Sequence, residues 1–291
     1  MAARWRLATE WSMPTLFDDV ATDVTLSDGR TLRVHDSGEV GLALVWHHGS
    51  PQTGALLRPL QLAAAERGLR LMSFGRPSYG GSSAHRGRNV ASIAADLGEA
   101  LDTLDVDRFA TMGHSGGGPT ALATGALLRE RVVATVAISS LAPYRATEEW
   151  FAGMAGGGPS LRAALLGREA YEEFERTAEF DPSSFNALDY AALDGPWSAL
   201  GDDVGVASAD GPEGITDDDL SFVAPWGFDP AAITTPVLLV HGGDDRVVPA
   251  THSEWLHEII SGSELWLRPA DGHVSILREC DAAMDWVLQQ S

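Results

Sequence analysis

The chain has 291 residues, and its 41 acidic side chains outnumber 20 basic ones, which gives a formal net charge of −21. This acidic excess repels phosphate backbones and anionic lipid surfaces, so it argues against nucleic-acid binding and a membrane-surface role. A chain of this length with 44% hydrophobic residues can bury a large core, so disorder is not expected. All basic residues are Arg. Without Lys, Schiff-base and pyridoxal-phosphate chemistry lack their amine nucleophile.

Cysteine content and targeting signals give a consistent picture. Cys280 is the single cysteine, so neither an intrachain disulfide nor a cysteine-type zinc cluster can form. Residues 1–20 are interrupted by acidic residues and a proline, so they offer no apolar core for a signal peptide. No uncharged apolar run approaches the ~20 residues that span a bilayer. We therefore expect a soluble, cytoplasmic protein.

Short apolar runs alternate with longer stretches of helical spacing. The runs 22–26 and 31–35 flank a turn-like Ser-Asp-Gly-Arg sequence and predict an antiparallel hairpin. Further strands are predicted at 42–46, 69–74, 109–112, 132–138, 236–240 and 264–267. Helices are predicted at about 53–67, 89–104, 116–130, 250–260 and 273–289. Apolar strands that alternate with helices indicate an α/β protein, with a mostly parallel sheet covered by helices on both faces.

One interval breaks this alternation. Nearly a hundred residues separate strands 132–138 and 236–240, whereas connections usually have ~2–6 residues. Within it, the segment 141–226 has 17 acidic and 4 basic side chains and several large aromatic residues. A disordered linker rarely carries so many aromatic residues. We predict an inserted helical cap at 141–226, with an α/β core formed by 1–140 and 227–291.

The strongest chemical signal is Gly113-His114-Ser115-Gly116-Gly117, which follows strand 109–112 and opens a helix. The pattern G-x-S-x-G between a strand and a helix is a nucleophile elbow, a tight turn that exposes the serine hydroxyl. The helix N-terminus behind Ser115 adds positive potential where an oxyanion would form. The pattern predicts a catalytic serine.

Such a serine needs a base and an orienting acid. The loop after strand 236–240 contains Asp244 and Asp245, and the loop after strand 264–267 contains His273. Both loops lie at the carboxyl ends of predicted parallel strands, where functional loops collect. The resulting order of serine, acid and histidine is the one that the elbow motif predicts. The remaining candidate histidines are interpreted as surface residues (His35, His85, His252, His257) or as a turn residue (His241).

At these motifs the sequence resembles the α/β-hydrolase superfamily, specifically its cap-bearing serine hydrolases, over about residues 20–288. The resemblance implies the α/β-hydrolase fold. It also implies that the acid is Asp245, four residues after the His of an H-G-x-x-D-x-x-x-P loop, with Asp244 as the adjacent alternative. His47-His48-Gly49-Ser50-Pro51 resembles the H-G-x-P loop, which implies an oxyanion hole formed by the backbone N–H groups of Ser50 and Gly116.

We expect two further motifs to have roles outside the reaction. Gly75-Arg76-Pro77-Ser78-Tyr79-Gly80-Gly81-Ser82 resembles the R-P-G-Y-G-x-S loop of the superfamily, with Ser78 where Gly is common, and we expect it to hold the active-site loops together. Asp217-Asp218-Asp219 lacks the Gly and Glu spacing of a calcium loop. We interpret it as a solvated acidic face or a helix start, and we expect neither a metal nor a cofactor.

The resemblance implies a carboxylic ester hydrolase that acts on a small molecule through Ser115, His273 and Asp245. Dehalogenases and epoxide hydrolases of this fold are excluded because they need a carboxylate nucleophile. A lactonase and a carbon–carbon bond hydrolase remain alternatives, as does an aminopeptidase for N-terminal proline, whose amino-group ligands would be among Glu172, Glu173 and Glu175. Outside the enzymes, a hydrolase-fold small-molecule receptor is the alternative. Homo-oligomerisation stays open.

The net charge also bears on the substrate. The segment 141–226 carries −13 of the −21 charges. Acidic side chains over an active site disfavour anionic substrates, which favours neutral or cationic esters, lactones or amides. The alternative interpretation is that the acidity and the absence of Lys reflect a GC-rich or salt-adapted source.

Overall fold

The computed structural model describes residues 20–291. Residues 1–19, where the sequence shows no signal-peptide core, lie outside the described residues. The strands are β1 (Val20–Thr25), β2 (Thr31–Asp36), β3 (Ala43–His47), β4 (Arg70–Phe74), β5 (Phe109–His114), β6 (Val132–Ile138), β7 (Val237–Gly242) and β8 (Glu264–Arg268). The helices are α1 (Arg58–Glu66), α2 (Val90–Thr103), α3 (Gly117–Leu127), α4 (Pro159–Leu165), α5 (Arg168–Glu175), α6 (Ala187–Leu193), α7 (Ser198–Ala209), α8 (Glu213–Val223), α9 (Thr251–Ile259) and α10 (Cys280–Gln290).

All strands of the described chain belong to one eight-stranded sheet of order β1-β2-β4-β3-β5-β6-β7-β8. β1 pairs with β2 and β2 with β4 in antiparallel fashion, whereas every later neighbour pair is parallel. Every residue of β3, β5, β6 and β7 is buried, as expected for parallel strands with helices on both faces. The predicted hairpin and the α/β-hydrolase fold are confirmed.

Helices cover both faces of the sheet. One buried cluster joins α1 and α10 to the sheet, and two others contain side chains of α2, α3 and α9. Two helix predictions need adjustment at their ends. α1 begins only at Arg58, with proline in its first turn, where a missing N–H is tolerated. The predicted helix 273–289 is divided into a 3-10 turn, Ser275–Glu279, and α10.

Helices α4 to α8 lie between β6 and β7, in a stretch that we call the β6–β7 segment (residues 139–236). Its large aromatic side chains are buried together with residues of the sheet-covering helices. Trp150, Phe151, Phe222 and Trp226 share a cluster with side chains of α3 and α9, and Trp197 packs in the cluster of α1 and α10. The segment is therefore ordered and shares its core with the rest of the chain. Its definition as a separate cap at 141–226 stays a prediction.

The histidines expected at the surface differ in burial. His252 is buried, and both of its ring nitrogens have partners: Nδ1 accepts from the Ala142 N–H, and Nε2 lies 2.9 Å from the Trp150 carbonyl oxygen. His35 is also buried, so the surface interpretation is wrong for both. In the part of the chain that the structure describes, no helix is long and apolar enough to cross a membrane.

Candidate active site

Ser115 lies at the turn between β5 and α3. Its φ is +55°, a left-handed conformation that non-glycine residues rarely adopt. A Cβ at Gly113 would lie 2.2 Å from the Gly117 carbonyl oxygen, and one at Gly117 would lie 2.0 Å from the His47 carbonyl oxygen. Both positions thus require glycine, because strand, turn and helix are in close contact there. This packing holds the strained turn and its serine in place.

The structure brings three of the predicted site residues into one hydrogen-bonded chain. His273 Nε2 lies 2.9 Å from Ser115 Oγ, and His273 Nδ1 lies 2.8 Å from Asp245 Oδ2. The second oxygen of Asp245 accepts from the backbone N–H groups of Val247 and Val248, each at 2.9 Å. These bonds orient the carboxylate towards the imidazole. The arrangement matches the geometry of a nucleophile, a base and an orienting acid.

Asp244, the adjacent alternative acid, has different contacts. It forms an ion pair with Arg246 at 3.0 Å and accepts from Asn186 Nδ2 at 3.1 Å. Its side chain is 40% exposed, whereas that of Asp245 is fully buried. Asp245, and not Asp244, contacts His273.

The electrostatics of the site keep Asp245 ionised. Burial alone would raise the pKa of its carboxyl, but the neighbouring His273 and His241 outweigh burial and hold that pKa well below its usual range. His241 Nε2 lies 3.4 Å from Asp245 Oδ2, and its Nδ1 lies 2.6 Å from Ser253 Oγ. The residue that we interpreted as belonging to a turn is thus a buried neighbour of the acid.

His114, which precedes Ser115, contacts the backbone of His273. Its Nε2 lies 2.8 Å from the carbonyl oxygen of His273. Burial, together with the neighbouring His273, lowers the pKa of His114 to about 3. His114 is therefore neutral at physiological pH, with its Nε2–H free to donate to that carbonyl.

The predicted oxyanion residues lie next to each other. A Cβ at Gly116 would lie 2.3 Å from Ser50 Oγ. Within residues 20–291, the backbone N–H groups of Ser50 and Gly116 donate to no protein acceptor. The Ser50 hydroxyl, by contrast, is engaged on both sides: it donates to Asp218 Oδ2 at 2.5 Å and accepts from Arg76 Nη2 at 2.8 Å. Only the backbone donors are available to a ligand.

Asp218, in the middle of α8, is a residue that the sequence interpretation missed. The predicted solvated face at 217–219 is wrong, because Asp217, Asp218 and Asp219 are all buried. Asp218 accepts from Arg76 Nη2 at 2.6 Å and from Arg88 Nη2 at 2.8 Å. These guanidinium groups outweigh burial and hold the pKa of Asp218 below its usual range. One sequence signal could have indicated such a residue. Arg76 lies in a motif without an acidic residue, so its partner, if buried, had to come from elsewhere in the chain.

The same cluster attaches α8 to the loops around Ser115. Tyr79 donates its hydroxyl to Asp218 at 3.0 Å. Arg76 also donates to the carbonyl oxygens of His48 and Gly49, and its backbone N–H donates to His48 Nε2 at 3.1 Å. The expectation that the Arg76 loop connects active-site loops agrees with these contacts.

A cavity of about 910 Å³ lies between the β6–β7 segment and the carboxyl ends of the strands, and Ser115, His273, Ser50 and Gly116 line it. Much of the remaining lining is apolar: Leu141, Met154, Leu161, Phe174, Phe180, Phe185, Leu193, Leu200, Val204, Ile215, Phe222, Val247, Val248 and Val274. Its acidic residues outnumber its basic ones: Glu172, Glu175, Glu179, Asp181 and Asp219 against Arg176 and Arg246. Burial raises the pKa of Asp219 to about 7.

Comparison with known proteins identifies the family. The sequence model of the alpha/beta hydrolase fold matches residues 43–279. The chain belongs to the α/β-hydrolase family. It is 28% identical over 244 residues to a non-heme chloroperoxidase of Streptomyces lividans, an alignment that covers 78% of this chain and 83% of that protein.

Solved structures of the α/β-hydrolase family share the fold. A thermophilic esterase from Thermogutta terrifontis superposes with a TM-score of 0.71 at 19% identity, covering 93% of this chain and 99% of the esterase. An enol-lactonase from Burkholderia xenovorans LB400 superposes with a TM-score of 0.70 at 19% identity, covering 92% and 99% of the two chains. At these identities the likeness shows the fold alone. In residues 20–291, no group of three or more His, Cys, Asp or Glu side chains could hold a metal ion.

Proposed function

We propose that this α/β hydrolase cleaves carboxylic esters through an acyl-enzyme intermediate formed on Ser115. The hydrogen-bonded chain from Ser115 Oγ through His273 to Asp245 carries the proposal. It ends in a cavity of about 910 Å³, within the size range of small-molecule sites.

In the proposed first step, Ser115 Oγ attacks the ester carbonyl while His273 Nε2 removes the hydroxyl proton. Asp245 stabilises the imidazolium that forms, and its low pKa keeps it ionised for this role. The N–H groups of Ser50 and Gly116 bind the oxyanion. Their role is favoured because no protein acceptor within residues 20–291 occupies them.

Collapse of the tetrahedral intermediate breaks the ester bond, and His273 gives its proton to the leaving alcohol. In the second step His273 takes a proton from water, which attacks the acyl-enzyme. Release of the carboxylic acid restores Ser115. These steps use the substrate, water, the three side chains and the two backbone N–H groups named above.

The charges of the cavity favour neutral or cationic esters, including cyclic esters. Both lining arginines have acidic partners: Arg246 pairs with Asp244, and Arg176 with Glu173. Neither arginine is therefore left to balance the carboxylates that line the cavity. Two proteins that share the fold are named an esterase and an enol-lactonase, and these names are compatible with an open-chain or a cyclic ester.

An aminopeptidase is the second candidate. Glu172 and Glu175, two of the three glutamates considered as amino-group ligands, line the cavity. Glu173 instead pairs with Arg176 and is exposed. A substrate with a free amino group would find carboxylates within the same cavity as the serine.

A panel of p-nitrophenyl esters of rising chain length, assayed beside a prolyl arylamide, separates these candidates. We expect turnover of the esters and loss of that turnover in Ser115→Ala, which leaves the backbone donors in place. Arylamide turnover faster than ester turnover would favour the aminopeptidase. Ester turnover that is unchanged in Ser115→Ala would refute the assignment of the nucleophile.

A further inference from the structure

Asp189, in α6 of the β6–β7 segment, is a fully buried carboxylate whose main contacts lie outside its own segment. Within α6 it completes a capping box, in which its Oδ2 accepts from the Asn186 N–H at 3.1 Å. Its remaining partners belong to the loop after β8, some 86 residues further along the chain. That loop carries His273.

The carboxylate accepts from three consecutive backbone N–H groups of this loop. Its Oδ2 accepts from His273 N at 3.2 Å, and its Oδ1 accepts from Val274 N at 2.9 Å and from Ser275 N at 2.8 Å. The Ser275 hydroxyl also donates to Oδ1 at 2.8 Å. These N–H groups open the 3-10 turn Ser275–Glu279, and the first N–H groups of a helical turn lack partners within it. Asp189 therefore caps that turn from a different part of the chain.

No arginine side chain within residues 20–291 contacts Asp189, in contrast to Asp218. Its burial is compensated by five hydrogen bonds and by the positive end of the 3-10 turn. The fit is close: a Cβ at Gly272 would lie 2.1 Å from Asp189 Oδ2. The loop and the carboxylate can approach in this way only because position 272 is glycine.

Four contacts thus hold His273 in place. Its side chain bonds Ser115 and Asp245, its carbonyl oxygen lies against His114 Nε2, and its N–H donates to Asp189. The Asp189 contact comes from the β6–β7 segment, whereas the other three come from the last residue of β5, the turn after it and the loop after β7. The position of the imidazole therefore depends on where α6 lies.

We propose that Asp189 is a positioning residue that fixes the backbone of His273 and so aligns its imidazole with the Ser115 hydroxyl. The proposal rests on the proposed function, because it assigns the base of that reaction. It makes the β6–β7 segment necessary for the chemical step as well as for enclosing the substrate.

The test compares Asp189→Asn with Asp96→Asn. Asp96 is also a buried aspartate, but it pairs with Arg30, away from the site. Asn at 189 keeps the volume but replaces one acceptor oxygen by an NH₂ group facing backbone N–H groups. We expect kcat and the rate of phosphonylation of Ser115 by a fluorophosphonate to fall about 10²-fold, with KM within about threefold, because a small misplacement of a catalytic group has this effect. Asp96→Asn should lower the melting temperature and leave these rates unchanged.

A second variant covers the case in which Asp189→Asn fails to fold. Ser275→Ala removes the hydroxyl that donates to Asp189 and accepts from the Gly272 N–H, and it keeps the backbone N–H donors to Asp189. We expect its kcat to fall about threefold to tenfold, the loss that one or two hydrogen bonds imply, with KM unchanged. Wild-type rates in a folded Asp189→Asn, or equal loss in Asp96→Asn, would overturn the proposal. Failure of the wild type itself to label would instead contradict the proposed function.

Discussion

Two carboxylates of the β6–β7 segment contact loops of the active site, and they are stabilised in different ways. Asp218 of α8 is bound to the guanidinium groups of Arg76 and Arg88 and contacts the loop after β3 through Ser50. Asp189 of α6 is bound by backbone N–H groups of the loop after β8, which carries His273. One contact is an ion-pair cluster and the other is a helix cap. Changing each should therefore affect different properties.

The two aspartates should therefore differ in their main effect: Asp218 on the stability of the fold, and Asp189 on the alignment of His273. Removing the charge of Asp218 leaves two buried positive charges without an opposite charge, a cost that falls on folding. Removing the charge of Asp189 leaves no opposite charge behind, so more of its effect should fall on the position of His273.

The largest effect is expected for Asp218→Asn. Arg76 and Arg88 are nearly inaccessible to solvent, and removing one partner of a buried ion pair typically costs about 3–5 kcal/mol. Chemical denaturation should show a loss of this size in the free energy of unfolding. Asp210→Asn, at the exposed end of α7, is the control and should stay within about 0.5 kcal/mol of wild type. A stability of Asp218→Asn equal to that of the control would show that the cluster contributes nothing.

A smaller effect is expected for Ser50→Ala. This change keeps the backbone N–H and removes the hydroxyl that bridges Arg76 and Asp218. We expect kcat for a p-nitrophenyl ester to fall about threefold to tenfold, the value of one or two hydrogen bonds. A loss near 10³-fold would mean instead that the Ser50 hydroxyl itself binds the oxyanion.

The smallest effect concerns pH. With a pKa of about 7, Asp219 is protonated below neutral pH and charged above it. Raising the pH from 6 to 8 should lower KM for a cationic ester relative to a neutral ester of equal size by about 2- to 3-fold, the effect of one solvent-screened charge several ångströms away. Asp219→Asn should abolish this change in the KM ratio. A ratio that is constant with pH in the wild type would show that Asp219 does not face the substrate.

The sequence predicts the sheet and the residues at the carboxyl ends of its strands because both follow from local patterns. Ser115 sits in a glycine motif between a strand and a helix, and His273 and Asp245 follow apolar strands, so their place at one end of the sheet could be predicted. Asp189 and Asp218 could not be predicted in this way. Their partners lie about 85 to 140 residues away, and no spacing in α6 or α8 indicates which helix face is buried.

The prediction of a solvated acidic face at 217–219 is wrong for the same reason. A run of three aspartates was interpreted as a solvated face, but α8 is buried and each aspartate has neighbours in the interior. Arg168 donates to Asp217, and Arg76 and Arg88 donate to Asp218. The net charge of the segment thus includes carboxylates that hold the fold together, and only part of it faces the cavity.

Intact-protein mass spectrometry can detect the acyl-enzyme that we propose on Ser115. The protein is mixed with a p-nitrophenyl ester and quenched in acid within the first turnovers. We predict an added mass equal to one acyl group, located on the peptide that contains Ser115, in the wild type and not in Ser115→Ala. Ester turnover with no acyl adduct, or an adduct that persists in Ser115→Ala, would contradict the account.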